Sequence, residues 1–208
     1  LAIPPPVLKI LEASFHEQVA ERPRDAAAMM VGEFGNWCES IRVGDPRDPD
    51  TLLGPLSNPL QYQRVQDYIH TGIHEGAQVL IGGPGRPTHL DTGYFVKPTV
   101  FYAVKNQMTI AQEEIFGPVL SVIRAQTLDE AIRLSHQCKF GNGASIFTSS
   151  GASARRFREE FNAGMIGVNV GVPAPMAWFP FTGWNGSFFG DLHVQGSEGI
   201  QFYTRQKV

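Results

Sequence analysis

Val119-Leu120-Ser121-Val122-Ile123-Arg124, Thr127-Leu128-Asp129-Glu130, Ala144-Ser145-Ile146-Phe147-Thr148, Ser150 and Met165-Ile166-Gly167-Val168-Asn169-Val170 follow one another in that order, and their reading decides the fold. The first is a short apolar, β-branched run, the pattern of a buried strand. In the second, Thr127 and Glu130 stand three apart, so each side chain can satisfy a backbone N–H at a helix start. That helix is expected to run to about Gln137. Residues 144–148 read as the next strand. Ser150 is placed to cap a helix through Phe161, and residues 165–170 read as another strand. Strand, helix, strand, helix, strand is the signature of right-handed crossovers in an α/β fold, with a mainly parallel sheet flanked by helices.

Working towards the N-terminus, Asn58-Pro59 supplies an N-cap and a first-turn proline. The helix they begin is expected over Leu60–Glu75, with Gly76 as its stop. Val79-Leu80-Ile81 reads as a short strand closed by Gly82-Gly83-Pro84-Gly85. Residues 94–104 read as extended, and Pro98 argues for a place at an edge or a bulge. Residues 43–50 form a polar Pro/Gly loop. Two further helices are expected, over 7–20 and 26–41. Towards the C-terminus, residues 172–199 are rich in Gly, Pro and aromatics with little periodicity. So long a loop in a compact domain usually serves function. Residues 199–205 read as one last strand.

The chain has 208 residues, of which 42% are hydrophobic and 18% charged, so it has ample material for a globular core. A net charge of -3 gives no electrostatic reason to expect nucleic acid or an acidic membrane surface as partner. No run approaches the roughly 18 apolar residues of a membrane span. The first residues, Leu1 to Leu8, are apolar but lack a basic segment and a cleavage site, so no signal peptide is read. Two cysteines cannot make a disulfide scaffold, and a reducing, cytoplasmic setting is expected.

Several blocks resemble the aldehyde dehydrogenase superfamily. They are Gly93-Tyr94-Phe95-Val96-Lys97-Pro98-Thr99-Val100, Glu113-Glu114-Ile115-Phe116-Gly117-Pro118-Val119, Gly164-Met165-Ile166-Gly167-Val168-Asn169 and Phe202-Tyr203-Thr204-Arg205. Their order is similar to that in the C-terminal part of the superfamily fold. A narrower likeness to its methylmalonate/malonate-semialdehyde branch lies in Asn169-Val170-Gly171-Val172-Pro173-Ala174-Pro175-Met176, Phe179-Pro180-Phe181-Thr182-Gly183-Trp184 and Ser187-Phe188-Phe189-Gly190-Asp191-Leu192-His193. The resemblance covers residues 31–208. It implies a catalytic-domain portion over 31–198 and a strand of an oligomerisation arm over 199–208, while residues 1–30 are unrecognised. It also implies NAD as cofactor, a small aldehyde as substrate, CoA as acyl acceptor and a homo-oligomeric complete enzyme.

The resemblance further implies that Glu114 and Phe116 contact NAD. A carboxylate can accept hydrogen bonds from both ribose hydroxyls, and an aromatic ring can support the nicotinamide face. From spacing alone the pair would be a turn with one solvated acid and one core ring. Asn169, at a strand end, is either near the active site or simply a satisfied strand-end asparagine. Val172, Pro173 and Phe181 match the substrate-tunnel region, or else pack the loop.

No catalytic residue is assigned. Cys38 and Cys138 lack the Gly-Gln-X-Cys setting of the family nucleophile, which would lie just ahead of Val31, and both read as structural. No metal site is assigned either. His70 and His74 stand four apart beside Glu75, but no third ligand follows. Asn185 stands where the family usually has lysine. The expected function is therefore the C-terminal portion of an NAD-dependent, CoA-acylating semialdehyde dehydrogenase, inactive when isolated. The alternatives are a non-catalytic assembly or binding module and a truncated product without function.

Overall fold

A computed structural model describes residues 35–208, so the helix expected over 7–20 and the start of that over 26–41 lie outside the described residues. The described residues divide between two compact units, 35–124 and 125–208.

The first unit begins with α1 (Gly35–Glu39), followed by α2 (Pro59–His74). Asn58 caps α2 by accepting the Gln61 N–H at 2.8 Å, with Pro59 inside the first turn. At the other end Gly76 takes φ 94°, and the N–H groups of Gly76 and Ala77 bond back to the carbonyls of Ile73 and Gly72. This left-handed stop satisfies carbonyls that would otherwise be orphaned. The next helix, α3 (Thr109–Gln112), has no cap of its own, since Met108 stands at its N-cap. Glu75 supplies one instead, accepting Thr109 N–H at 2.7 Å and Thr109 Oγ1–H at 2.6 Å.

Three strands complete this unit, in the order β1 (Gln78–Ile81), β2 (Thr99–Tyr102), β3 (Val119–Ser121). β1 runs antiparallel to β2, and β3 runs parallel to it. The expectation for Pro98 is corrected here. β2 is central, because it begins at Thr99, one residue after the proline, so the missing N–H falls outside the ladder. The irregularity lies in β1, between Val79 and Ile81, and Gly82 follows it. A Cβ on Gly82 would sit 2.2 Å from the Pro98 carbonyl oxygen, and its φ is 81°. The core packs Val65 and Ile69 of α2 against Phe101 of β2, with Ala77, Val96, Val104, Met108, Ile110 and Ile115 around them. Burial of each large side chain here contributes about 1.5–3 kcal/mol.

The second unit holds α4 (Leu128–Ser135), β4 (Phe140–Gly141), β5 (Gly143–Ile146), α5 (Gly151–Glu160), β6 (Met165–Val168), β7 (Trp184–Asn185) and α6 (Gly196–Tyr203). Thr127 Oγ1 accepts Glu130 N–H at 3.1 Å, and Glu130 reaches back to Gln126 N–H at 2.7 Å. Ser150 accepts Ser153 N–H at 3.2 Å. Both helix starts are therefore where the sequence places them. β5, α5 and β6 form a parallel crossover, with Gly143 opposite Met165 and Ile146 opposite Val168. β4 pairs antiparallel with β7.

Two expectations differ from the structure. The strands form three short sheets rather than one mainly parallel one: β1-β2-β3 is mixed, β4-β7 antiparallel and β5-β6 parallel. Residues 199–205, expected as a strand, lie largely within α6. Helix bonds satisfy the backbone locally, whereas a strand needs a neighbour, and none pairs with this segment among the described residues. Local ties favour the helix as well. Glu198 bonds back to His193, and Thr204 Oγ1 donates to the Ile200 carbonyl at 2.6 Å. No described helix is long and apolar enough to cross a membrane.

Candidate functional site

Residues 113–118 form a loop between α3 and β3, and one stripe of α2 holds it. Gln61, Arg64, Val65 and Tyr68 fall on a single helix face by their i, i+3, i+4, i+7 spacing. Gln61 Nε2 donates to the carbonyls of Ile115 at 3.1 Å and Phe116 at 2.9 Å. Arg64 donates to the Glu114 carbonyl at 3.2 Å, and Tyr68 Oη to Glu113 Oε2 at 2.8 Å. Val65 closes the stripe by shape: a Cβ on Gly117 would lie 2.6 Å from Val65 Cγ2, so only glycine lets the loop come this near. At the far end the Pro118 carbonyl accepts the Thr99 N–H at 2.9 Å, joining the loop to the central strand.

Pinned in this way, Ile115 is buried in the core while its neighbours are not. Phe116 has φ 54°, and its ring is 75% exposed. A left-handed backbone on an aromatic residue costs energy and persists only where the surroundings impose it. Glu114 is exposed too, with the Arg64 guanidinium near enough to feel its charge. An exposed carboxylate and an exposed ring, two residues apart, have the chemistry that a ribose diol and a nicotinamide would require. The residues fit the cofactor that the resemblance implies.

The other candidates lie in the second unit. Asn169 also has φ 55°, a conformation asparagine tolerates. Its Oδ1 accepts Thr148 N–H at 2.9 Å, and its Nδ2 donates to the Thr148 carbonyl at 3.0 Å. The side chain thus continues the β5–β6 ladder beyond the strands. Pro173 packs over the glycine-lined end of that pair, 3.1 Å from where a Gly143 Cβ would stand. Val172 is 75% exposed and Phe181 42%. The structure groups Glu114 with Phe116 in one unit, and Asn169, Val172, Pro173 and Phe181 in the other.

Sequence reasoning passed over the supports. Gln61, Arg64 and Tyr68 carry no motif; their signal is a polar stripe beside a buried valine on one helix. It passed over His193 as well. Nδ1 of His193 lies 2.7 Å from Glu198 Oε2, and Nε2 lies 2.8 Å from Thr182 Oγ1. The hydrogen bond from His193 holds the Glu198 carboxyl below its ordinary range.

The remaining features are structural in character. Cys38 is buried, which pushes its thiol up. Cys138 is half-buried just after α4. In the Gly82–Gly85 turn, Gly83 N–H donates to Thr99 Oγ1, Gly85 N–H to Gln66 Oε1, and Lys97 Nζ to the Pro84 carbonyl. Its amides are already committed within the protein. His70 and His74 are exposed on α2, and among the described residues no three His, Cys, Asp or Glu are placed to share a metal ion.

Comparison with known proteins matches this arrangement to one family. A malonate-semialdehyde dehydrogenase of Halalkalibacterium halodurans is 51% identical over 184 residues, covering 88% of this chain and 38% of its own length. Malonate-semialdehyde dehydrogenase 2 of Geobacillus kaustophilus is 48% identical over 210 residues, covering 97% of this chain and 43% of its own. Among solved structures, the methylmalonate-semialdehyde dehydrogenase of Oceanimonas doudoroffii superposes with a TM-score of 0.83 at 34% identity, over 97% of this chain and 44% of that one. The Mycobacterium tuberculosis aldehyde dehydrogenase complexed with NAD+ gives a TM-score of 0.81 at 39% identity, over 89% and 37%. The chain therefore spans well under half the length of these relatives. The model of the aldehyde dehydrogenase family matches residues 22–208, and the chain belongs to that family.

Proposed function

We propose that this chain is the C-terminal portion of an NAD-dependent, CoA-acylating dehydrogenase that oxidises malonate or methylmalonate semialdehyde to an acyl-CoA. The observation that carries the reading is Phe116. It is an exposed aromatic ring held in a left-handed backbone by Gln61 and Gly117, two residues from the exposed carboxylate of Glu114. The names of the relatives support the substrate class, and the NAD+ complex of the M. tuberculosis relative supports the cofactor.

NAD, when bound, would supply the hydride acceptor for oxidation of the aldehyde. This chain's own residues would hold it still: Glu114 would accept hydrogen bonds from the ribose hydroxyls, and the Phe116 ring would support the nicotinamide face and fix its orientation. Val172, Pro173 and Phe181 would line the aldehyde's approach, with Asn169 bracing the strand end beneath them. The thiolate nucleophile comes from residues outside this chain, so 208 residues alone form no acyl-enzyme.

NADH formation with malonate semialdehyde and CoA tests the reading, using the polypeptide that carries this chain together with a cysteine-bearing portion. We expect turnover there and none from residues 1–208 alone. Glu114→Gln and Phe116→Ala should each weaken NAD about ten- to hundredfold, as loss of a charged hydrogen bond or an aromatic support does. Unchanged NAD affinity in both variants would remove these residues from the cofactor site.

A second reading has its own observation. Residues 168–203 leave the large apolar side chains of Val172, Trp178, Phe189, Ile200 and Tyr203 exposed, the kind of surface on which partners dock. The chain would then act as an assembly module, docking through this face on another copy or on a homologue. A monomer at all concentrations would argue against it.

A further inference from the structure

Residues 172–181 form no helix or strand, and packing ties them down at Pro173, against Gly143 and Gly167, and at Trp178, against Gly196. Among the described residues their backbone hydrogen bonds are local turns, Ala174 N–H to the Val172 carbonyl and Phe179 N–H to the Met176 carbonyl. Just beyond them the chain is fixed. A Cβ on Gly164 would meet Gly183 Cα at 2.8 Å, and Trp184 pairs with Gly141. Thr182 joins the two parts, and its hydroxyl is bound to His193.

His193 has both ring nitrogens engaged. Glu198 Oε2 lies 2.7 Å from Nδ1 and also accepts the His193 backbone N–H at 3.2 Å. Thr182 Oγ1 lies 2.8 Å from Nε2. The ring packs on Phe188, with centroids 4.4 Å apart. In a neutral ring, a carboxylate at Nδ1 places the proton there, which leaves Nε2 with a lone pair for the Thr182 hydroxyl. The order of groups is carboxylate, imidazole, hydroxyl, each setting the orientation of the next. It links α6 to the residue that follows Phe181.

We infer that His193 is a positioning residue: the Glu198–His193–Thr182 relay fixes the loop that carries Phe181 and thereby sets one wall of the aldehyde's path. The consequence for the aldehyde rests on the proposed placement of Phe181; the relay itself does not.

Hydrogen exchange, followed by mass spectrometry in the protein that carries this chain, tests the relay without substrate or cofactor. Thr182→Val and Glu198→Ala should each speed exchange of amides 177–184 about tenfold, the effect of losing one hydrogen bond of this kind. Because both act through one ring, the double variant should exchange little faster than either single one. Thr182→Ser, which keeps the hydroxyl, should restore the parental rate. Peptides from α2 should not change, which marks the effect as local. Parental exchange in Thr182→Val, or effects that multiply in the double variant, would overturn the relay. Turnover is measured separately. A parent protein that makes no NADH sinks the dehydrogenase reading and leaves the exchange result standing.

Discussion

Phe116 combines two costs that a folded chain normally avoids, a left-handed backbone on an aromatic residue and a ring left in water. Glycine at this position would remove the first cost, worth roughly 1–2 kcal/mol, and would lose little burial. Phe116→Gly should therefore raise the melting temperature while weakening NAD, and calorimetry beside an NAD titration checks both. A variant that is less stable and binds NAD unchanged would show that the ring serves the fold. At this scale a motif singled out Glu114 and Phe116, and the structure adds that both are exposed on one loop. The sequence was not legible at Gln61, Arg64 or Tyr68. Their partners, backbone carbonyls for Gln61 and Arg64 and the Glu113 carboxylate for Tyr68, lie roughly fifty residues away, and no local pattern encodes those. His193 lies within a family-like block, but its role depends on Thr182 and Glu198 together, which no single motif encodes.

Among the elements, α2 is the platform of the candidate site. One of its faces enters the core through Val65 and Ile69, while the adjoining stripe holds residues 113–118. Gly117 is where the two duties meet. Gly117→Ala would drive a methyl to 2.6 Å from Val65 Cγ2, and it should destabilise the protein by about 1–3 kcal/mol. Val65→Ala in the same chain should recover part of that loss and part of any lost NAD affinity, since it opens the space the methyl needs. Denaturant titration of the single and double variants checks this; strictly additive losses would refute a local clash. Helix starts were readable because their signals are side chains next to the helix itself, at Asn58, Thr127 and Ser150. Strand pairing was not, because the partner of β3 is chosen by residues near 100 rather than by its own pattern. The change at residues 199–205 from expected strand to observed helix has a different origin. Phe202 and Tyr203 suit either state, and the deciding ties, Glu198 to His193 and Thr204 to Ile200, are local bonds that no motif announces.

At the scale of the whole molecule, the chain spans 38% of the length of the H. halodurans relative. Residues 168–203 leave Phe189 95% exposed, and Trp178, Ile200 and Tyr203 are exposed as well. This strip has a calorimetric consequence. Apolar groups that are already hydrated in the folded state add nothing to the heat capacity of unfolding. Residues 1–208 alone should thus unfold with an increment below the roughly 12–15 cal/mol/K per residue of well-buried domains. The deficit should return as a negative heat-capacity change when a partner covers the strip, so a differential scan of the chain and a titration with that partner measure the same hydrated surface from opposite sides.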